Sequence, residues 1–260
     1  DMPRFAANLS MMFTELPFLD RFEAAAKAGF RAVEFLFPYE HPAAEIAARL
    51  EAAGLQQVLF NGPPGDWAKG ERGQACLPGR KAEFREGFRR ALDYAAALSC
   101  PRIHVMAGLA PAGVPHDTLT ATLAENLAWA AEQARPAGVK PVIEPINHRD
   151  IPGFFVNTTD QAAAIIEAVG PEAVGMQFDL YHCQITEGDL VKRVEKHLPL
   201  IAHMQVADNP GRNEPGTGEV NWPFVFRRID ELGFRGWIGC EYRPAGETVA
   251  GLGWFAPYKA

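Results

Sequence analysis

Short apolar stretches rich in Val, Ile and Phe alternate with longer Ala- and Glu-rich stretches in which apolar residues recur every three or four positions. The first kind predicts buried strands, the second helices with one buried face. Strands are expected at 4–8, 32–37, 56–61, 102–106, 139–144, 174–179, 201–206 and 237–242. Helices are expected at 18–28, 43–53, 81–98, 119–135, 159–169, 189–197 and 223–232, with a last helical stretch inside 248–255. Glycines such as Gly54 and Gly138 stand just past helical stretches, where a left-handed C-terminal cap is needed. Asn221 precedes Trp222 and Pro223, an N-cap with proline in the first turn.

Strands separated by helices pair in parallel, and eight such units in 260 residues predict a closed (β/α)8 barrel, an α/β fold occupying 1–260 as a single domain. An open, doubly wound sheet would call for a glycine-rich phosphate loop after the first strand. Asn8, Leu9 and Ser10 stand there instead. The connection 62–80 is unusually long, and long ordered connections often cover active sites. Trp67 and Arg72 within it favour a lid over an idle excursion.

Composition narrows the partners. The net charge of −7 argues against nucleic acid, whose phosphates require clustered Lys and Arg. With 48% hydrophobic and 22% charged residues, a large core is affordable and disorder is not expected. Cys76, Cys100, Cys183 and Cys240 form no C-x-x-C pair and read as reduced thiols of a cytoplasmic protein. No apolar run approaches a membrane span, and no signal peptide is visible. The aromatic tail Trp254, Phe255 and Tyr258 packs either across the barrel bottom or against a second subunit of a homo-oligomer.

In a parallel barrel the C-terminal strand ends open onto one face, where active sites form. The fifth strand ends at Glu144, the sixth at Asp179, the seventh near Gln205 and the eighth at Glu241. Carboxylates brought together repel unless a cation neutralises them, and these hard oxygen donors suit Mg²⁺ or Mn²⁺. Each acid alone could be a helix cap or a surface charge; three acids and an amide on four successive strands point to a metal site. Glu34, near the end of the second strand, either meets substrate or supports a neighbour. His182 either bonds a substrate oxygen or satisfies a backbone carbonyl, and His203 reads as a satisfied polar residue of the barrel interior. Arg212 and Arg72 are candidates to grip a substrate carboxylate, while Lys69 reads as a solvated charge.

Across these residues the chain resembles the hydroxypyruvate isomerase family, within the xylose-isomerase-like barrels. The resemblance runs through RFAANLSMMF, GFRAVEFLFPYE, GDWAKGERGQACLPGR, VIEPINHRDIPGFF, FDLYHCQ, HMQVADNPGRNEPGTGEVNW and GWIGCEYRP, from near residue 4 to near residue 244. It implies a metal on Glu144, Asp179, Gln205 and Glu241, with the two glutamates as the acid–base pair. Many sugar epimerases of the wider class have histidine where this chain has Gln205. The implied reaction interconverts hydroxypyruvate and tartronate semialdehyde through an enediolate. Isomerisation of a 2-oxo-tetronate, keto-sugar epimerisation and, more remotely, sugar-acid binding without turnover are the alternatives. Related endonucleases hold several zinc ions on many histidines, a cluster that the seven histidines here do not form.

Overall fold

Strand segments such as Gly175–Asp179 are buried at every position, as required of a sheet covered by helices outside and filled by side chains inside. In the computed structural model, which describes residues 2–259, eight such segments close into one parallel barrel in chain order. They are β1 Arg4–Asn8, β2 Ala32–Glu34, β3 Gln56–Asn61, β4 Arg102–His104, β5 Lys140–Ile143, β6 Gly175–Asp179, β7 Ile201–Val206 and β8 Trp237–Cys240. The outer layer is α1 Arg21–Lys27, α2 Ala43–Ala53, α3 Lys81–Leu98, α4 His116–Ala134, α5 Thr159–Val169, α6 Leu180–Thr186, α7 Leu190–His197 and α8 Trp222–Glu231. The ring closes between β1 and β8, where Ala7 pairs with Cys240.

Every expected strand is present, but several are shorter. The apolar run at 32–37 leaves the ladder after Glu34, and the Leu36 amide donates to Ser10 Oγ (2.9 Å) instead of to a strand. β4 stops at His104, two residues before its apolar run ends. The pattern missed α6, whose residues follow Asp179 without a break; Asp179 itself caps this short helix. The stretch 18–28 begins as a 3-10 turn at Phe18–Asp20, and the C-terminal stretch forms two 3-10 segments, Val249–Gly251 and Gly253–Tyr258. Asn221 caps α8 as expected, accepting from the Phe224 amide, and Gly54 closes α2 at φ 67°.

The barrel interior is layered. Ala6, Ala32, Val58 and Trp237 fill its N-terminal end, where Arg102 donates to the carbonyls of Val58 and Ala202. Polar side chains occupy the middle, and the candidate site lies above them. The aromatic tail packs on its own chain, outside the sheet: Phe255 stacks on Phe30 at 4.3 Å, and Trp254 and Tyr258 meet Phe5 edge-on. The connection 62–80 is tied to the rim. The Cys76 amide donates to the Ala107 carbonyl (2.8 Å), and Arg80 grips Glu71, which lowers the Glu71 carboxyl to about 2. Gly73 lies so close to the Met106 carbonyl that any Cβ would overlap it. Among the described residues no helix is long and apolar enough to cross a membrane, and all four cysteines are buried and unpaired.

Candidate active site

Strand register brings the expected side chains to one place. Asp179 pairs with Gln205 across β6 and β7, Gln205 with Gly239 across β7 and β8, and Asn8 with Glu34 across β1 and β2. Glu144 and Glu241 each follow the last residue of their strands. Ligand-type atoms of Glu144, Asp179, His182 and Glu241, all buried, lie within 4.8 Å of one another. Above them opens a cavity of about 560 Å³.

The carboxylates are held in unequal ways. Asp179 spends Oδ1 on the amides of Tyr181 (2.8 Å) and His182 (3.3 Å), the N-terminus of α6, while its Oδ2 is buried without a partner. Glu144 Oε2 is likewise buried and unpartnered. Burial first, then repulsion from Glu241 and Asp179, holds the Glu144 carboxyl well above the usual range. Burial does the same to Glu241 against the pull of Arg212, with Asp179 and Glu34 adding to the rise. Such orphaned oxygens are costly in a closed interior. A divalent cation at their meeting point would satisfy them and reverse the pKa logic. The donor set therefore fits a hard metal ion.

Hydrogen-bond partners fix the roles of the two nearby histidines. Asn147 Oδ1 accepts from the Asp150 amide (2.8 Å), so its Nδ2 must face His182 Nδ1 (2.7 Å) and donate to it. His182 then carries its hydrogen on Nε2, which faces Asp179 Oδ2 at 3.6 Å and Glu144 Oε2 at 3.9 Å. A nitrogen bearing a hydrogen donates and does not ligate a metal, so within this cluster His182 is a donor rather than a ligand. On the other side His104 Nδ1 donates to Asn61 Oδ1 (3.2 Å), which leaves a bare, unpartnered Nε2 at 3.9 Å from Glu144 Oε1. Burial lowers His182 to about 4 and His104 to about 3, so both rings are neutral near pH 7.

Gln205 donates from Nε2 to Glu241 Oε2 (3.0 Å) and to Glu34 Oε2 (2.6 Å), and its Oε1 accepts from Gln177 Nε2 (2.6 Å). Gln177 Oε1 has no partner. Turning both amides over would keep their mutual bond and aim the Gln205 oxygen at Glu241 at the cost of its donation to Glu34, an arrangement favourable only beside a cation. Glu34 lies beneath the cavity and does not line it. It is wholly buried and accepts from Asn8 Nδ2 (2.9 Å), Gln205 Nε2 and His203 Nε2 (2.7 Å). The supporting role thus describes its placement; His203 meets Glu34 through Nε2, while its Nδ1 is buried without a partner. A Cβ on Gly239 would overlap the Glu34 carboxylate, so this strand position must lack a side chain.

Arg212 enters from the loop after β7. Its Nη2 donates to Glu241 Oε1 (2.9 Å), its Nη1 to Asp150 Oδ2 (3.3 Å), and the guanidinium lies 4.7 Å from the Tyr181 ring centre. Burial works against its charge, but Glu241, Asp179 and Asp150 outweigh it and raise the pKa. The loop is rigidly built: the Asp208 carboxylate accepts from the amides of Gly216, Gly218 and Val220. Trp67 and Arg72 form part of the cavity wall, with the guanidinium 3.5 Å from the indole centre.

Sequence reasoning passed over Asn61, His104, Asn147, Asp150 and Tyr181. The rule that singled out Glu144 and Asp179, a polar residue ending a strand, applies equally to Asn61 on β3 and His104 on β4. The apolar continuation Val105–Met106 concealed the true end of β4.

The chain matches the xylose isomerase-like TIM barrel family over residues 22–258. It is 58% identical to the 2-oxo-tetronate isomerase of Cupriavidus necator, covering 99% of both chains. It is 48% identical to the hydroxypyruvate isomerase of Escherichia coli, over 99% of this chain and 100% of that one. The crystal structure of a protein from Brucella melitensis titled "AP endonuclease, family 2" superposes with a TM-score of 0.97, at 48% identity and 100% coverage of both chains. By the family match and by its full-length relatives, this chain belongs to the xylose isomerase-like TIM barrel family.

Proposed function

We propose that this chain is an isomerase that interconverts hydroxypyruvate and tartronate semialdehyde, moving a hydrogen between adjacent carbons of a small keto acid. The observation that carries the proposal is the pair of buried glutamates, Glu144 and Glu241, whose carboxylate oxygens meet within 4.8 Å of each other and of Asp179 at the cavity floor. An acid–base group positioned within reach of the proton it moves typically contributes about 10²–10⁴-fold. One of the two removes a proton from C3 to give an enediolate, and the other returns a proton at C2. Neutral His182, with its hydrogen on Nε2, donates to the oxygen on which negative charge develops. Arg212 meets the substrate carboxylate while keeping Glu241 oriented.

Glu144, Asp179 and Glu241, with Gln205 after its amide turns, would hold Mg²⁺ or Mn²⁺. When bound, such a cation polarises the carbonyl and stabilises charge on the two neighbouring oxygens. Trp67 and Arg72 serve as a cover that excludes water from the small substrate. The four reduced thiols accord with a cytoplasmic location.

The second reading is isomerisation of a four-carbon 2-oxo acid. A cavity of about 560 Å³ leaves room beyond three carbons, and the Cupriavidus necator relative carries that name. The deciding experiment strips the protein with a chelator, restores Mg²⁺ or Mn²⁺, and assays both substrates side by side. Metal-restored turnover of hydroxypyruvate supports the proposal, and a strong preference for the four-carbon acid selects the second reading. Turnover of neither removes both.

A further inference from the structure

Moving a carbonyl between adjacent carbons requires two proton transfers, not one. Besides the carbon-bound proton, a hydroxyl proton must pass from one substrate oxygen to the other. The two glutamates account for the carbon-bound proton and leave the hydroxyl proton without a carrier. Epimerisation at one carbon has no such requirement, so the second carrier is a demand of the isomerase reading, on which this inference rests.

His104 ends β4 and lines the cavity, yet nothing in the reaction so far uses it. Its residue exposure is 1%, and its Nε2 is buried without a partner, although it stands 3.9 Å from Glu144 Oε1. The ring is anchored from behind, since Nδ1 donates to Asn61 Oδ1. Unpartnered polar atoms are rare in closed interiors and need an explanation. His182 stands on the far side of Glu144 with the opposite hydrogen placement, its Nε2–H facing the second carboxylate oxygen. The site thus presents one imidazole that donates and one that accepts, facing the two carboxylate oxygens of Glu144.

We propose that His104 carries the hydroxyl proton of the isomerisation from one substrate oxygen to the other. After a glutamate has taken the C3 proton, the substrate is an enediolate with a hydroxyl on C3 and negative charge on O2. The His104 Nε2 lone pair holds the O3 proton only in passing, because burial makes the imidazolium a strong acid that gives the same proton up at once to the basic O2 anion. The O3–H bond breaks and the O2–H bond forms. The ring returns to its starting state, and no electron donor or acceptor takes part. Collapse of the O3 anion to an aldehyde then accompanies protonation at C2 by the glutamic acid. Asn61 is a positioning residue that holds the ring with its bare nitrogen inward.

The test compares the wild type with His104→Gln, both loaded with Mg²⁺ or Mn²⁺, in D2O, on whichever of the two keto acids the wild type converts. Two rates are read by proton NMR: deuterium entering the residual substrate at C3, and formation of the isomer. The expected result is isomer formation down by roughly 10²-fold, within the usual range for losing a proton-transfer group. Deuterium entry should fall far less, so that its ratio to isomerisation rises at least about ten-fold. A ratio that does not rise, whether both rates fall together or neither falls, overturns the assignment and leaves the isomerase reading intact. If the wild type converts neither acid, the isomerase reading fails and takes this inference with it. Should His104→Gln not fold, Asn61→Leu, which keeps the imidazole but frees it, is judged by the same ratio.

Discussion

Glu34 and Glu144 are the same residue type, one on β2 and one just past β5, and both are buried. Glu34 sits in the middle of the barrel with Asn8, Gln205 and His203 all donating to it. Glu144 sits one layer higher with one oxygen buried and unpartnered, between two histidines that approach no closer than 3.9 Å. A satisfied buried carboxylate is part of the framework, whereas an unsatisfied one retains unused binding capacity. Burial alone therefore does not separate structure from function here; the census of donors does.

The largest effects should come from removing each acid in turn. Glu144→Gln is expected to lower kcat by roughly 10²–10⁴-fold while leaving unfolding free energy unchanged or higher, since it removes a poorly solvated acid. Glu34→Gln should do the reverse. It replaces an acceptor oxygen with a donor in a ring of donors, and about 1–3 kcal/mol is expected for each group left unsatisfied. Steady-state kinetics and denaturant unfolding on both variants check the contrast. Equal stability losses in the two would dissolve it.

How much of this contrast was legible in the sequence follows from the same residues. The eight strands and most helices were readable because burial on both faces imposes apolar runs and one-sided burial imposes a three-to-four spacing. Glu144, Asp179, Gln205 and Glu241 were readable because a carboxylate or amide ending an apolar run is unusual. Glu34 met that criterion too, and only its donors, which come from β1 and β7, could decide between its two readings. Those contacts span 26 and 171 positions of chain. His104 was hidden because β4 leaves the ladder before its apolar run ends, and α6 because a helix of seven residues offers too little periodicity to detect.

A divalent cation should act directly on the upper layer and reach Glu34 only through Gln205, whose turned amide would withdraw one of the three donors to Glu34. In the metal-free protein, burial and mutual repulsion hold Glu144 and Glu241 protonated above the pH at which the unfolded chain sheds those protons. The folded state then binds more protons than the unfolded state, so this contribution to stability falls as pH rises above about 4.5. His104 and His182, with lowered values, act oppositely and cost stability as pH falls from about 6.5 towards 3–4. Comparing loaded and chelated protein at each pH cancels the histidine part. At one fixed concentration, a hundred times the Kd at pH 7, the cation contributes about 2.7 kcal/mol at that pH, or roughly 5–10 °C in Tm at this size. The increment should grow from pH 5 to pH 8. An increment independent of pH would mean the ion sits elsewhere.

Arg212 tests the boundary between framework and chemistry, because it touches Glu241 and lies in the cavity wall. Charge-assisted bonds contribute about 1.5–3 kcal/mol, so Arg212→Ala should raise KM for keto acids by roughly ten- to a hundred-fold. Neutral keto sugars, which lack the carboxylate, should be affected far less. An equal effect on acids and neutral sugars would reduce Arg212 to a support for Glu241, the part that Gln205 and Asn8 play for Glu34.

The smallest effect is expected at the rim. Trp67 is 41% exposed, and its contacts are with Phe37 at 5.2 Å and with the Arg72 guanidinium at 3.5 Å from the ring centre. Neither contact reaches the carboxylates on the floor, so Trp67→Ala should leave the chemical step alone. A cation–π contact at an exposed site is worth about 0.5–1 kcal/mol, which would loosen Arg72 and raise KM roughly two- to five-fold at unchanged kcat. Stopped-flow measurement of Trp fluorescence on substrate addition gives a second view. A cover that closes should quench or shift the Trp67 signal, identified by its loss in Trp67→Ala. Unchanged KM together with no Trp67-dependent signal would return the segment 62–80 to plain surface. Catalysis would then rest on the upper layer of the barrel alone.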